Sequence, residues 1–201
     1  MAVLASVGAS APVLAESNLQ TGTVALTATA KVDFQVTIPK ILYLRVGTGS
    51  AYATGALANV GTVDLIQFTV PAASVGNSTA VAGTGGDLTA GVVTAAVVGN
   101  NGTITLNATA SGALSNGAGD SIDFSQITTA AGTLTSATAL PAPALTNAIS
   151  ANVTITPATG KVVVRDARWT FSYANTTTPA AGTYGGVNVN NGRVTYTAAL
   201  P

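Results

Sequence analysis

At 201 residues the chain is long enough for one β-domain with elaborations. Its seven Lys/Arg balance seven Asp/Glu, so nothing draws it towards nucleic acid or an anionic membrane. Charged residues make up only 7% of the chain, against roughly 25% in a typical soluble domain. A neutral surface of small polar residues suits a protein that packs against copies of itself better than a crowded cytosolic monomer.

The mean hydropathy of +0.48 comes mainly from Ala and Val, and no stretch reaches the roughly 20 continuous apolar residues of a membrane-spanning helix. With no His and no Cys, the usual catalytic triads, thiol nucleophiles, disulfides and most transition-metal sites are excluded.

Residues 1–15 are apolar and small, and Val13-Leu14-Ala15 before Glu16 fits a small-residue cleavage site. An export signal is expected there, although it has no positive n-region: the first basic residue is Lys31. Residues 21–38 follow, the most informative stretch of the chain. Val24, Leu26, Ala28, Ala30, Val32, Phe34, Val36 and Ile38 occupy every even position and would share one face of an extended chain. At about 3.4 Å per residue the run spans roughly 60 Å, about three times a typical strand. Two strand-length pieces in series are expected, one of them able to pair outside its own domain.

Further on, helix signals are scarce, and strand candidates recur at 41–46, 63–70, 102–110, 149–155, 161–173 and 193–200. Turn residues separate them at Asn100-Asn101-Gly102, Asn116-Gly117, Thr159-Gly160 and Asn191-Gly192. Residues 75–99 alternate weakly and read either as strands or as a surface region. Residues 130–148, with Pro141 and Pro143, read as a loop, and residues 187–196 as a short hairpin turning at Asn190-Asn191-Gly192. The pattern predicts an all-β sandwich. Trp169, Phe171 and Tyr173 alternate on one face of a late strand and are expected in its core, with Phe34, Phe68 and Phe124 as further anchors. The functional alternative for Trp169 and Tyr173 is a platform for stacking sugar rings.

Candidate chemistry is thin. Of the carboxylates Glu16, Asp33, Asp64, Asp87, Asp120, Asp123 and Asp166, only Asp120 and Asp123 are close in sequence. They lack the ligand density and glycine of a calcium loop, and a solvated loop is expected. Gly83-Thr84-Gly85-Gly86 lacks the lysine and following helix of a phosphate loop. Lys161, Arg165, Asp166 and Arg168 read as a solvent-facing strand edge with a local ion pair. No catalytic, cofactor-binding or metal-binding residues are assigned, and an enzyme is not expected. The five Asn-x-Ser/Thr sequons are a by-product of Asn and Thr richness.

The two ends of the chain resemble a family. Val24-Ala25-Leu26-Thr27-Ala28-Thr29-Ala30-Lys31-Val32-Asp33 resembles the opening strand of chaperone–usher pilins, the subunits of bacterial fimbriae, especially the cysteine-free class. Pro179-Ala180-Ala181-Gly182-Thr183-Tyr184-Gly185-Gly186, followed by Val194-Thr195-Tyr196-Thr197-Ala198, resembles their ending, with residues 187–192 inserted.

The resemblance implies an immunoglobulin-like sandwich that lacks one strand and is completed by a donor strand from the next subunit. On that reading residues 1–15 are a signal peptide, 16–30 the donor extension and 31–201 the pilin-like domain. Val24, Leu26, Ala28 and Ala30 are the inward-facing donor set, and Tyr184, Val194 and Tyr196 mark the C-terminal strand at the groove edge. It further implies an exported structural subunit that polymerises with copies of itself at the cell surface, served on the way by a periplasmic chaperone and an outer-membrane usher. Two alternatives stand beside it: a self-contained surface or sheath protein, and a carbohydrate-binding adhesin domain.

Overall fold

In the computed structural model residues 17–48 and 57–201 are described; the expected export signal and Glu16 lie outside them. Lys40–Pro201 forms one compact unit. In chain order its strands are β1 (Leu42–Val46), β2 (Ile66–Gln67), β3 (Val81–Ala82), β4 (Thr84–Gly85), β5 (Val92–Gly99) and β6 (Ile104–Ala110). They are followed by β7 (Leu114–Ser115), β8 (Ser121–Ile122), β9 (Ile127–Gly132), β10 (Val153–Ile155), β11 (Val163–Tyr173) and β12 (Val194–Ala199).

All the pairings are antiparallel, and the protein is an all-β sandwich. One sheet runs β1–β5–β11, with β9 on the far edge of β11. The other runs β10–β6–β12. Two small ribbons, β2–β4 and β7–β8, lie outside these sheets.

Alternation explains most of this. In β11, Val163, Ala167, Trp169, Phe171 and Tyr173 point into the core. In β6, Ile104, Leu106, Ala108 and Ala110 do the same, while Thr105, Asn107 and Thr109 face outwards. The central strand β5 is different: all of it from Val93 to Gly99 is buried, on both faces, so it carries no polar–apolar period. Beyond Val92 its place along β11 is taken by β3. Gly83 and Gly91 meet backbone to backbone at that exchange, where a Cβ on Gly91 would lie 2.7 Å from the Cα of Gly83.

One side of the sandwich is closed by irregular chain. Leu140, Pro143 and Leu145 of the 133–148 connection are buried. The main-chain N–H of Leu140 donates to Asp166 O of β11 (2.9 Å), and Ala110 N–H of β6 donates to Ala148 O (3.2 Å). The expected loop is therefore a wall of the core, and its first residues belong to β9. Trp169 is fixed against it by an Nε1–H bond to Leu140 O of 2.8 Å. Another buried polar residue, Asn175, sits at φ 55°, a conformation asparagine tolerates. Its side chain accepts from Gly76 N–H and donates to Ser74 O, tying the 74–76 turn to the end of β11.

Several expectations are corrected. Residues 187–193 form no hairpin strand: Asn188, Asn190 and Asn191 all have positive φ, which an extended ladder cannot accommodate. Of residues 63–70 only Ile66 and Gln67 are strand. Phe34 is 87% exposed and is no core anchor, whereas Phe124 is buried and Phe68 half-buried.

Asp166 is not on a solvent-facing edge either. It is fully buried, its carboxylate accepting from Thr135 N–H (3.0 Å), Ser136 N–H (2.7 Å) and the Thr135 hydroxyl, while its own N–H donates to Ser136 Oγ. Among the described residues no cation lies within ion-pair distance of it. Burial pushes its pKa up, but the donors from Thr135 and Ser136 outweigh burial and hold it below the ordinary carboxylate value.

A lowered folded-state pKa means that Asp166 stabilises the fold above its unfolded pKa and loses that contribution as pH falls through the folded value. Asp166→Asn should cost about 1–3 kcal/mol at neutral pH: its amide oxygen can still take both backbone N–H groups, which share Oδ1, but without charge assistance, and an NH₂ replaces the oxygen that accepts from the Thr135 hydroxyl. Thermal melts at about pH 7 and about pH 3 should show the gap between wild type and variant narrowing in acid. A gap independent of pH would contradict this account of Asp166.

Candidate functional site

The side of the sandwich opposite the 133–148 wall is bordered by β1 in one sheet and β12 in the other, which approach each other across it. Among the described residues no strand pairs with the outer edge of either. The C-terminal run Val194-Thr195-Tyr196-Thr197-Ala198-Ala199-Leu200 alternates, so Val194, Tyr196, Ala198 and Leu200 face the core while Thr195, Thr197 and Ala199 are exposed. The four core-facing side chains are only half-buried, as are Leu44 and Val46 of β1. On the neighbouring strands the equivalent residues are buried: Ile104, Leu106 and Ala108 beside β12, and Ala95 and Val97 beside β1. The core thus thins to a half-wet apolar row along this one side.

Local interactions hold the row in place. The Tyr196 ring tilts against Trp169, with centroids 5.3 Å apart. Burial pushes the Tyr196 hydroxyl pKa well up, so the phenol stays neutral. At the C-terminal end of β12, Pro201 O accepts from Asn101 Nδ2 (2.8 Å) and from Lys40 Nζ, while Ile41 N–H donates to Asn100 Oδ1 (2.9 Å). Lys40, β12 and the β5–β6 turn therefore meet at one corner.

At the other end of β1, Arg45 donates to Gly47 O and Thr48 O and lies 3.8 Å from the buried Asp87 carboxylate. A shallow cleft of about 370 Å³ borders β1 from Tyr43 to Thr48, with Ala58, Asn59, Val60 and Thr62 opposite.

The segment before Lys40 contrasts with this. None of residues 17–39 belongs to a strand or helix, and every one is exposed. Of the alternating set, Val24, Val32, Phe34, Val36 and Ile38 are all at least 70% exposed, and Leu26 is 48% exposed. The compact unit begins at Lys40 rather than at Lys31.

Of the residues expected to mark the groove edge, Val194 and Tyr196 lie on β12. Tyr184 lies in the connection ahead of it, its hydroxyl donating to Ala180 O at 2.7 Å. Leu44, Val46, Ala198 and Leu200 join the row without having been singled out. The same two-residue period that marks Tyr196 runs on through Ala198 to Leu200 and could have found those two.

Other candidate chemistry dissolves into structure. Asp120 Oδ2 accepts from Asn116 Nδ2 (2.9 Å) and Asp123 accepts from Asn147, so both carboxylates serve as loop ties. Among the described residues no group of three or more Asp or Glu is placed to hold a metal ion. Trp169 and Tyr173 are buried and offer no sugar-stacking face. No helix among the described residues is long and apolar enough to cross a membrane. No protein-family profile matches the chain, and neither a curated protein nor a solved structure matches it significantly.

The exposure of residues 17–39 carries a direct expectation. Trypsin should cut after Lys31 well before it cuts at Arg45, Arg165 or Arg168, which lie in paired strands. Mass spectrometry of a time course identifies the first product. Cleavage of the strand arginines as early as Lys31 would contradict the division of the chain at Lys40.

Proposed function

We propose that the chain is a structural subunit of a surface filament, similar to a chaperone–usher pilin. In this reading residues 17–39 of one copy complete the β1/β12 side of the next by strand addition. The sandwich is then an incomplete immunoglobulin-like domain whose absent strand would pair with the outer edge of β12. The observation that carries the reading is a complementary pair in one chain. The half-buried row Val194, Tyr196, Ala198 and Leu200 lacks a strand on its outer side, and an alternating apolar segment belongs to no sheet.

Added strands bind through main-chain ladder bonds, and alternate side chains enter the pockets between the sheets. Each copy gives a strand at one place and takes one at another, so the contact is head-to-tail and does not close. The product is a filament, which suits an uncharged surface rich in Ala, Thr and Gly. Export, a periplasmic chaperone that covers the row before assembly, and an outer-membrane usher complete this proposal. The buried positions of Trp169 and Tyr173 remove the main support for a sugar-binding adhesin. Among the described residues, 17–39 join no strand of their own chain, which favours exchange over a domain that uses that segment as its own first strand.

Size-exclusion chromatography with light scattering tests the assignment. The chain refolded at high concentration should form a series of polymers that persist on dilution. Ala198→Asp, which puts a charge into the row, should yield monomers with the Trp169 fluorescence of the parent. A parent chain that remains monomeric at every concentration would overturn the reading.

A further inference from the structure

On the filament reading, a narrower question is which part of the exposed segment is lent. We infer that it is residues 32–38 of a second copy, with Val32, Phe34, Val36 and Ile38 inward, and not the earlier stretch 21–30. The inference rests on that reading, and two observations lead to it.

The first is the match of the two rows. The acceptor strand presents four core-facing positions at two-residue spacing, Val194, Tyr196, Ala198 and Leu200, all half-buried. Residues 32–38 offer four large apolar side chains at the same spacing. Val24, Leu26, Ala28 and Ala30 offer two large and two small. A half-wet row beside Trp169 and Tyr196 is better filled by Phe and Ile than by alanine, because protein cores are packed to crystal density.

The second is what each choice leaves behind. Val32, Phe34, Val36 and Ile38 are 70–87% exposed. If residues 24–30 were inserted, these four would stay in water along the filament as an apolar linker. If residues 32–38 are inserted, the part left outside is 17–31, where Thr and Ala are commonest and Leu19, Val24 and Leu26 are the large apolar side chains.

That the strand comes from another copy follows from the filament reading, in which each chain gives a strand at one place and takes one at another.

The chain has no cysteine, so engineered disulfides report the pairing without ambiguity. Ala198→Cys is combined in the full chain with Val32→Cys, Phe34→Cys, Val36→Cys or Ile38→Cys in turn, and with Leu26→Cys or Ala28→Cys for comparison. Val194→Cys serves as a second acceptor position. Each variant is assembled, mildly oxidised and run on non-reducing denaturing gels, with Trp169 fluorescence reporting the fold.

The expected result is loss of the monomer band into a covalent ladder for at least one pair from residues 32–38, and none for Leu26→Cys or Ala28→Cys. A ladder only from Leu26→Cys or Ala28→Cys overturns the inference and leaves the filament reading standing. An intramolecular disulfide in a monomer overturns exchange between copies. Polymers that form without any cross-link overturn the choice of segment. A parent chain that forms no polymer removes the filament reading and this inference together.

Discussion

Among the described residues the row Val194, Tyr196, Ala198 and Leu200 has a sheet neighbour on one side only, and the rest of the structure is arranged around that asymmetry. Elsewhere the core is sealed. The 133–148 connection buries Leu140, Pro143 and Leu145 and takes the Trp169 indole N–H, and β5 is covered on both faces. Along β1 and β12 the sealing is incomplete, and core-facing side chains are left partly exposed. An unpaired strand edge beside half-exposed apolar side chains is a template for another strand, which most monomeric proteins blunt with charge, proline or a bulge. β12 carries no charged residue and no proline within it. That combination is a liability for a monomer and a binding surface for a subunit.

Magnitudes bear on why residues 17–39 join no strand of their own chain. Full burial of Val32, Phe34, Val36 and Ile38 is worth roughly 1.5–3 kcal/mol each, about 6–12 kcal/mol together. Fixing the backbone of residues 32–38 costs about 1–2 kcal/mol per residue, about 7–14 kcal/mol in all. The two nearly cancel. In the proposed filament the surplus comes from the acceptor: the completed burial of its own half-wet row and main-chain ladder bonds in a water-poor groove. On the proposed filament reading a chaperone would cover this row, since a partly exposed apolar row beside an unpaired edge invites non-specific pairing until the proper strand arrives.

How much of this was legible in the sequence depended on whether a residue's two faces differ. β11 and β6 alternate between core and solvent, and their period marks both strands and the buried Trp169, Phe171 and Tyr173. β5 was left open between strand and surface region, because a strand buried on both sides has no period, and its Ala and Val do not distinguish core from loop. The 133–148 wall was hidden for a related reason: its prolines advertise a loop but say nothing about which side chains it buries. Asp166 sits among Arg165 and Arg168 in sequence and so reads as a surface ion pair. Only the fold brings Thr135 and Ser136 around to satisfy it. In the candidate site, alternation marked a strand at 193–200, and Val194 and Tyr196 were singled out on it through the resemblance to pilin endings. Phe34 was taken for a core anchor because a large aromatic in an alternating run looks the same whether its pocket is in its own domain or in another.

The measurement that reaches the central claim most directly is amide hydrogen exchange, read by mass spectrometry, on the free chain and on its assembled form. Strand addition predicts that residues 32–38 exchange quickly in the free chain and become strongly protected on assembly, and that β12 gains protection along its outer edge at the same time. If assembled material leaves both as fast as in the free chain, the copies are held together by some other surface and β12 is not an acceptor.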